Sequence, residues 1–293
     1  MQNGKEEFVI QLVKNSLERE LTMASYACID EKTVIKVGAV DNPSAKCVRI
    51  VHVSDTHMMH NDIPLPNANI LVHSGDFSKA SLSRLLFRSS AFQELTHEID
   101  RYFEKVPIKH KLLVAGNHEV SFPGHIANEI QSRLKHVTYL QDSSLEVEGI
   151  KFYGSPWTTY RWYSLAKAFT EDGHRLRRKW DKIPSDTDVL VTHMPPLCIG
   201  DLAAKMFKVL SILRIEGTCR VCNERHVDYD HWGCQILLDT VLNRVRPKIH
   251  MYGHVHESNG VIFKDGIVFS NAAYKLSPNF HVFDYYLLDS VDQ

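Results

Sequence analysis

Asp55 and His57 stand two residues apart at the end of the short apolar run Val48-Arg49-Ile50-Val51-His52-Val53. The same arrangement recurs along the chain. Gly75-Asp76 follows Ile70-Leu71-Val72-His73, and Gly116-Asn117-His118 follows Lys111-Leu112-Leu113-Val114-Ala115. His193 follows Val189-Leu190-Val191-Thr192, and His254 and His256 follow Lys248-Ile249-His250-Met251-Tyr252. Residues two apart on an extended segment share a face, so Asp55 with His57, and His254 with His256, can each address one ion. Asp76 sits behind a glycine that permits close backbone approach, so its carboxylate can bridge two ions. Asn117 adds a neutral amide oxygen. Imidazole suits Zn, Fe, Ni and Cu, whereas carboxylate and carbonyl oxygen suit Mn and Mg. The mixed set points to two divalent cations, Mn, Fe or Zn rather than Mg, close enough to clamp a phosphoryl group.

These side chains must be gathered by the elements that carry them. Apolar runs that stop at Gly or Asp read as buried strands. In an open α/β sheet, ligands collect outside the carboxyl ends of the strands. Between the strands, Leu82, Leu85, Leu86, Phe92, Leu95, Ile99 and Phe103 predict helix over 81–105, ended by Pro107. Further helices are expected over 125–135, 160–182 and 236–245. A strand is expected at Ile150-Lys151-Phe152-Tyr153. Val261-Ile262-Phe263 and Ile267-Val268-Phe269 flank Asp265-Gly266 and predict a hairpin, and a last strand lies near 280–288. Phe8, Val9, Leu12, Val13, Leu17 and Leu21 predict an amphipathic helix over 6–24 that packs on the main domain, followed by weak strands over 26–40. The turn Asp41-Asn42-Pro43-Ser44 divides an N-terminal extension, 1–46, from the domain expected over 47–293. Strands alternating with helices give an α/β class with antiparallel additions at the end.

Composition excludes several functions. The net charge is −1 across 293 residues, so no global field favours a nucleic-acid polymer or an anionic membrane. No apolar stretch approaches the ~20 residues of a membrane span. The start of the chain lacks the basic, apolar and small-residue pattern of a secretory signal, and a cytoplasmic location is expected. Cys28, Cys47, Cys198, Cys219, Cys222 and Cys234 are scattered, which suits reduced thiols better than a disulfide framework.

Taken in order, Asp55-Thr56-His57, Gly75-Asp76, Gly116-Asn117-His118-Glu119, His193 and Gly253-His254-Val255-His256 resemble the calcineurin-like metallophosphoesterase superfamily. Val53-Ser54-Asp55-Thr56-His57, Gly154-Ser155-Pro156-Trp157, Lys179-Trp180-Asp181-Lys182-Ile183-Pro184, Thr192-His193-Met194-Pro195-Pro196 and Val245-Arg246-Pro247-Lys248 resemble its metallophosphoesterase-domain-containing branch, over about 47–289. The resemblance implies a four-layer α/β/β/α sandwich with a di-metal site at the carboxyl edge of the strands. It implies one ion on Asp55, His57, Asp76 and His256, and a second on Asp76, Asn117, His193 and His254. It implies that His118 protonates the leaving oxygen, and that a hydroxide held between the ions hydrolyses small phosphodiesters, most of all cyclic nucleotides. Some relatives lack the first His of the last motif; this chain keeps His254, which favours two filled sites. One departure stands out: many members place an Asp three residues after the bridging Asp to pair with the catalytic His, and here that position is Lys79.

Two other readings compete with a small-substrate phosphodiesterase. One is a phosphomonoesterase or phosphoprotein phosphatase; the other is a nucleotide-binding scaffold with residual hydrolysis. Several features invite different chemistry. Cys219 and Arg225 have the spacing of cysteine phosphatases but no glycine between them to wrap a phosphate. Cys219-x2-Cys222, His226, His231 and Cys234 include a zinc half-site, yet the second half lacks matching spacing, and a surface insertion with reduced thiols is the preferred reading. Arg175-Leu176-Arg177-Arg178-Lys179 reads as a solvated helix face. Trp157, Tyr160, Trp162 and Tyr163 could stack a base or fill the core. His52, His73 and His250 lie inside strands as buried, hydrogen-bonded residues, and His60 is a pocket candidate outside the ligand set.

Overall fold

Neighbouring residues of one strand serve different layers of this protein, which is why the apolar runs are continuous rather than alternating. The computed structural model describes residues 25–30, 33–37, 47–160, 164–205, 218–226 and 228–287. The first sheet holds β1 (Ser25–Asp30), β2 (Thr33–Val37), β3 (Cys47–Val53), β4 (Ile70–His73), β5 (His110–Leu113), β6 (Thr138–Tyr139) and β17 (His281–Leu287), in the order β1-β2-β17-β3-β4-β5-β6. The second holds β7 (Ser143–Val147), β8 (Ile150–Ser155), β11 (Val189–Thr192), β14 (Ile249–Tyr252), β15 (Gly260–Lys264) and β16 (Ile267–Asn271), in the order β15-β16-β14-β11-β8-β7. β3 to β6 run parallel, as do β8, β11, β14 and β16, and antiparallel strands close the edges.

Ile50, Ile70, Val72 and Leu112 of the first sheet meet Phe152, Val189, Val191, Ile249, Met251 and Val268 of the second. Val51, Val53, Leu71 and Leu113 point the other way, against Phe92, Leu95, Ile99 and Phe103 of helix α2 (Arg88–Lys105) and Ile130 of α3 (Ala127–Arg133). On the far face of the second sheet, Tyr153, Leu190, Tyr252 and Phe269 pack with Leu176 and Trp180 of α4 (Gly173–Trp180) and Leu237 of α5 (Gln235–Thr240). The layers are therefore α/β/β/α, as the resemblance implies. Each buried Val, Leu, Ile or Phe contributes about 1.5–3 kcal/mol. A one-residue slip would move a whole set of them into the wrong layer, so the register of each strand is tightly specified.

Several expected elements are shorter than the periodicity suggests. The segment 81–105 is two helices, α1 (Leu82–Leu86) and α2, broken where Phe87 takes φ −112° and ψ 54°. Leu82, Leu86 and Phe87 are exposed, so no buried stripe holds the first turn in line with the rest. The helix expected over 160–182 exists only as α4 among the described residues. Ahead of it, β10 (Thr170–Glu171) pairs with β9 (Thr158–Thr159) instead. The helix over 236–245 ends in a wider π-type turn at Val241–Val245. The hairpin turn forms with φ 53° at Asp265 and 76° at Gly266, the two positive values that a tight type I′ turn needs. The helix expected over 6–24 lies outside the described residues. Strands do form within 26–40: β1 pairs with β2, and β2 joins the first sheet beside β17.

Candidate metal centre

The carboxyl ends of β3, β4, β5, β11 and β14 converge on one edge of the sandwich, and the seven predicted ligands meet there. Asp55 Oδ1 lies 3.1 Å from His256 Nε2, which lies 3.1 Å from His57 Nε2. His57 Nε2 is 3.9 Å from Asp76 Oδ2, and His193 Nε2 is 3.3 Å from Asp76 Oδ1. His193 Nε2 also lies 3.0 Å from Asn117 Oδ1 and 3.3 Å from His254 Nδ1. Asp76 is thus shared between two half-circles, Asp55/His57/His256 on one side and His193/His254 with Asn117 on the other.

The backbone bends sharply to achieve this. Asp55, His57, Met58, Asp76 and His254 all have positive φ, which costs on the order of 1–3 kcal/mol each and persists only where the surroundings enforce it. Gly75 has φ 113°, and a Cβ there would run into the His193 imidazole. A Cβ at Gly253 would strike the Asp55 carboxylate, so the chain before His254 can be nothing larger.

Second hydrogen bonds fix which imidazole nitrogen faces the centre. His57 Nδ1 donates to the Ser78 carbonyl at 2.9 Å, and His193 Nδ1 donates to the Ser74 carbonyl at 2.9 Å. Each ring therefore turns its Nε2 inward, the arrangement common to metal-ligating histidines. Asn117 Nδ2 donates to the Ala166 carbonyl at 3.4 Å and so presents its oxygen. Ser54 Oγ and the His254 N–H hold Asp55 Oδ2, at 2.6 and 2.8 Å, leaving Oδ1 for the centre.

Electrostatics agree with this donor set. Burial pushes the Asp55 and Asp76 carboxyls up, but the imidazoles around them prevail and both stay below the usual carboxylate range. Burial drives His57 down to about 4, so it is a neutral ligand. Burial also opposes charge on His193, yet Asp76 and Asp55 outweigh it and raise the ring to about 9, so without cations its Nε2 carries a proton that a bound metal ion would displace. Two buried carboxylates facing several inward imidazoles call for positive charge between them. The residues fit a pair of divalent cations.

His118 stands beside this group, with Nε2 3.7 Å from Asp76 Oδ2. Its Nδ1 accepts the Ala80 N–H at 3.0 Å, which places the proton of the neutral ring on Nε2, facing the cleft. Backbone next to Lys79 thus donates to the ring, where a carboxylate at that position would accept from it. Glu119 points away from the cleft. Its carboxylate accepts N–H groups of Asp76, Ser78 and Gly116 at 3.0, 2.9 and 2.7 Å, tying the loop after β4 to the loop after β5. Burial and the nearby Asp76 charge raise Glu119 to about 7.

Asp76, Asn117, His118, His254 and His256 open into a cleft of about 220 Å³ walled by Thr158, Thr159, Trp232 and Glu257. No sequence motif marks Trp232. It lies next to β13 (Tyr229–His231) in a segment whose sequence gives no periodic signal, and its ring centre is 5.7 Å from that of His254. Of the aromatics offered for stacking, Trp157 donates to Asp142 and packs on Phe169, Tyr160 is exposed, and Trp162 and Tyr163 lie outside the described residues. His60 is not in the cleft; it stacks on Phe77 with ring centres 4.0 Å apart. His52, His73 and His250 are fully buried against Ser74 and Ser270, Thr56, and Thr192.

A β-sandwich whose parallel strands end in facing imidazoles around a shared aspartate defines a metal-dependent phosphoesterase architecture. The sequence signature of the calcineurin-like phosphoesterase family matches residues 48–258, and this chain belongs to that family. It is 36% identical over 244 residues to a UPF0046 protein of Caenorhabditis elegans, covering 77% of this chain and 75% of the relative. It is 31% identical over 251 residues to metallophosphoesterase domain-containing protein 1 of Homo sapiens, covering 77% of this chain and 65% of that protein. One solved crystal structure superposes with a TM-score of 0.50 at 13% identity, over 77% of this chain and 90% of its own, which supports the fold. Among the described residues no helix is long and apolar enough to cross a membrane.

Proposed function

We propose that this chain is a metal-dependent phosphodiesterase of small phosphodiesters, cyclic nucleotides foremost. Asp55, His57, Asp76 and His256 hold one divalent cation, and Asp76, Asn117, His193 and His254 hold the other. Bound there, the cations would make water nucleophilic near neutral pH and neutralise charge on the phosphoryl oxygens. The supporting observation is the pair of imidazole nitrogens, His57 Nε2 and His193 Nε2, locked inward on opposite sides of Asp76. His118 holds its proton at Nε2, within reach of a leaving oxygen in the cleft. Thr158, Thr159 and Trp232 wall the remainder of a small substrate. The cleft is small and the net charge only −1, which favours a compact diester over a polymer. The scattered cysteine pattern suits a reducing, cytoplasmic setting. Manganese, iron and zinc suit the mixed nitrogen and oxygen donors better than magnesium.

The test is a substrate panel on protein reconstituted separately with manganese, iron and zinc. Cyclic nucleotides and bis-p-nitrophenyl phosphate should turn over, and Asp76→Asn should abolish both hydrolysis and tight metal binding. Faster hydrolysis of phosphopeptides or p-nitrophenyl phosphate than of any diester would assign the cleft to monoesters. Rates no greater than those of the Asp76→Asn variant would leave a binding protein.

A further inference from the structure

We propose that Cys219, Cys222, His226 and His231 form a structural zinc site that braces one wall of the catalytic cleft. One ligand atom from each of these four residues lies within 4.8 Å of every other. Tetrahedral zinc with Zn–S near 2.3 Å and Zn–N near 2.0–2.1 Å sets ligand atoms roughly 3.5–4 Å apart, so the group needs only small shifts to take the ion.

A tight turn brings the sulfurs together. The Cys219 N–H donates to the Glu224 carbonyl at 2.8 Å, the Asn223 N–H donates back to the Cys219 carbonyl at 2.9 Å, and Asn223 takes φ 61°. The Val221 N–H points at Cys219 Sγ from 3.4 Å, a contact that stabilises a thiolate. His226 Nδ1 donates to the Tyr229 carbonyl at 3.2 Å, which leaves Nε2 to face Cys222 Sγ, also at 3.2 Å.

His231 supplies an independent observation. Its side chain is 8% exposed, and its Nδ1 donates to Asp201 Oδ1 at 2.9 Å. Asp201 is itself buried and is held through Oδ2 by the Gly233 N–H at 3.1 Å. The other ring nitrogen, Nε2, is buried and makes no hydrogen bond. A buried, oriented lone pair with nothing to accept is costly, and a metal ion would satisfy it. Carboxylate to imidazole to metal is the usual support of a histidine ligand. Two sulfurs and two nitrogens select zinc over harder ions such as manganese and magnesium. Cys234, which the sequence offers as a ligand, is excluded: it is buried in the core beneath the second sheet, with Leu237 and Trp180.

The site would act through its neighbours. His231 ends β13, which pairs with β12 (Leu202–Ala204), and the next residue is Trp232 of the cleft wall. The Ala204 N–H donates to Glu257 at 3.2 Å, and Ser258 Oγ donates to the Leu202 carbonyl at 2.9 Å, tying this hairpin to the rim beside His256. Zinc at the four side chains would hold Trp232 against His254.

Two measurements test this without reference to turnover. In the full chain carrying Asp55→Asn and Asp76→Asn, about one zinc per chain should survive dialysis against a mild chelator, and adding Cys222→Ser should remove it. In wild-type protein stripped of zinc, cobalt should give a thiolate-to-cobalt charge-transfer band with tetrahedral d–d absorption. The catalytic centre contains no thiolate, so that band reports this site alone, whether or not the centre hydrolyses diesters. Absence of both the retained zinc and the thiolate band would overturn the site. So would recovery of a Cys219–Cys222 disulfide from protein alkylated at lysis.

Discussion

At the scale of single residues, proton placement decides what each group can do. His118 accepts the Ala80 N–H through Nδ1, so its proton sits on Nε2 and can be given to an alkoxide. His118→Ala should lower kcat by roughly 10²–10⁴ on cyclic nucleotides while bound metal stays at the wild-type level. The deficit should shrink on bis-p-nitrophenyl phosphate, whose leaving group departs without a proton. An equal loss on both substrates, or loss of metal, would make His118 something other than the acid. Glu119 has a different task. Three backbone N–H groups share its two oxygens, and Glu119→Gln leaves one oxygen where two are needed. That variant should lose about 1–3 kcal/mol of stability in urea melts. Metal affinity should fall about 10–100-fold, as for other residues that orient ligands, because the Asp76 and Gly116 loops drift apart.

At the scale of elements, ligand placement rests on strands held in register, and one buried ion pair ties β3, which leads to Asp55 and His57, to its neighbour β17. Arg49 of β3 donates to both oxygens of Asp284 on β17, at 2.7 and 2.9 Å, and both residues are buried. Asp284→Ala should cost about 3–5 kcal/mol in urea melts because it strands a buried guanidinium. Replacing both residues by apolar ones should cost much less, and a double variant as unstable as the single one would refute this account. Such pairing explains which parts of the fold were legible. Strands such as Val48–Val53 and Val189–Thr192 announce themselves because they are buried on both faces and stop at a ligand. The side chains that converge on the candidate centre were legible because their types and order are local in sequence. The break at Phe87 and the shortening of 160–182 were not, since helical spacing continues across them and only tertiary burial decides where a helix ends. Trp232 and the inward turn of His231 were equally hidden. Their placement depends on Asp201 and on pairing between β12 and β13, which no periodicity encodes.

At the scale of the whole molecule, acid stability follows from histidines distributed through the layers. His60 lies against Phe77 and Tyr102, His250 in β14 beside Thr192, and His281 in β17 between Ser270 and Asn259. Burial lowers them to about 4, 3 and 4 respectively. In the unfolded chain each titrates near 6.5. Below that pH the unfolded state takes up protons that the folded state refuses. Their contribution is therefore complete above pH ~6.5 and is lost as pH falls toward 4 and 3, by up to about 1.4 kcal/mol per pH unit for each proton. These rings lie outside the metal-binding set, so metal-stripped protein should show this loss in urea melts at pH 7.5, 6.0 and 5.0. Metal-loaded protein should start higher and fall more steeply over the same range, since protons also compete for His57, His193, His254 and His256. Parallel profiles for the two forms would mean that the cations do not bind through those imidazoles. A flat profile for the stripped form would mean that the buried rings titrate in the fold as they do in the unfolded chain.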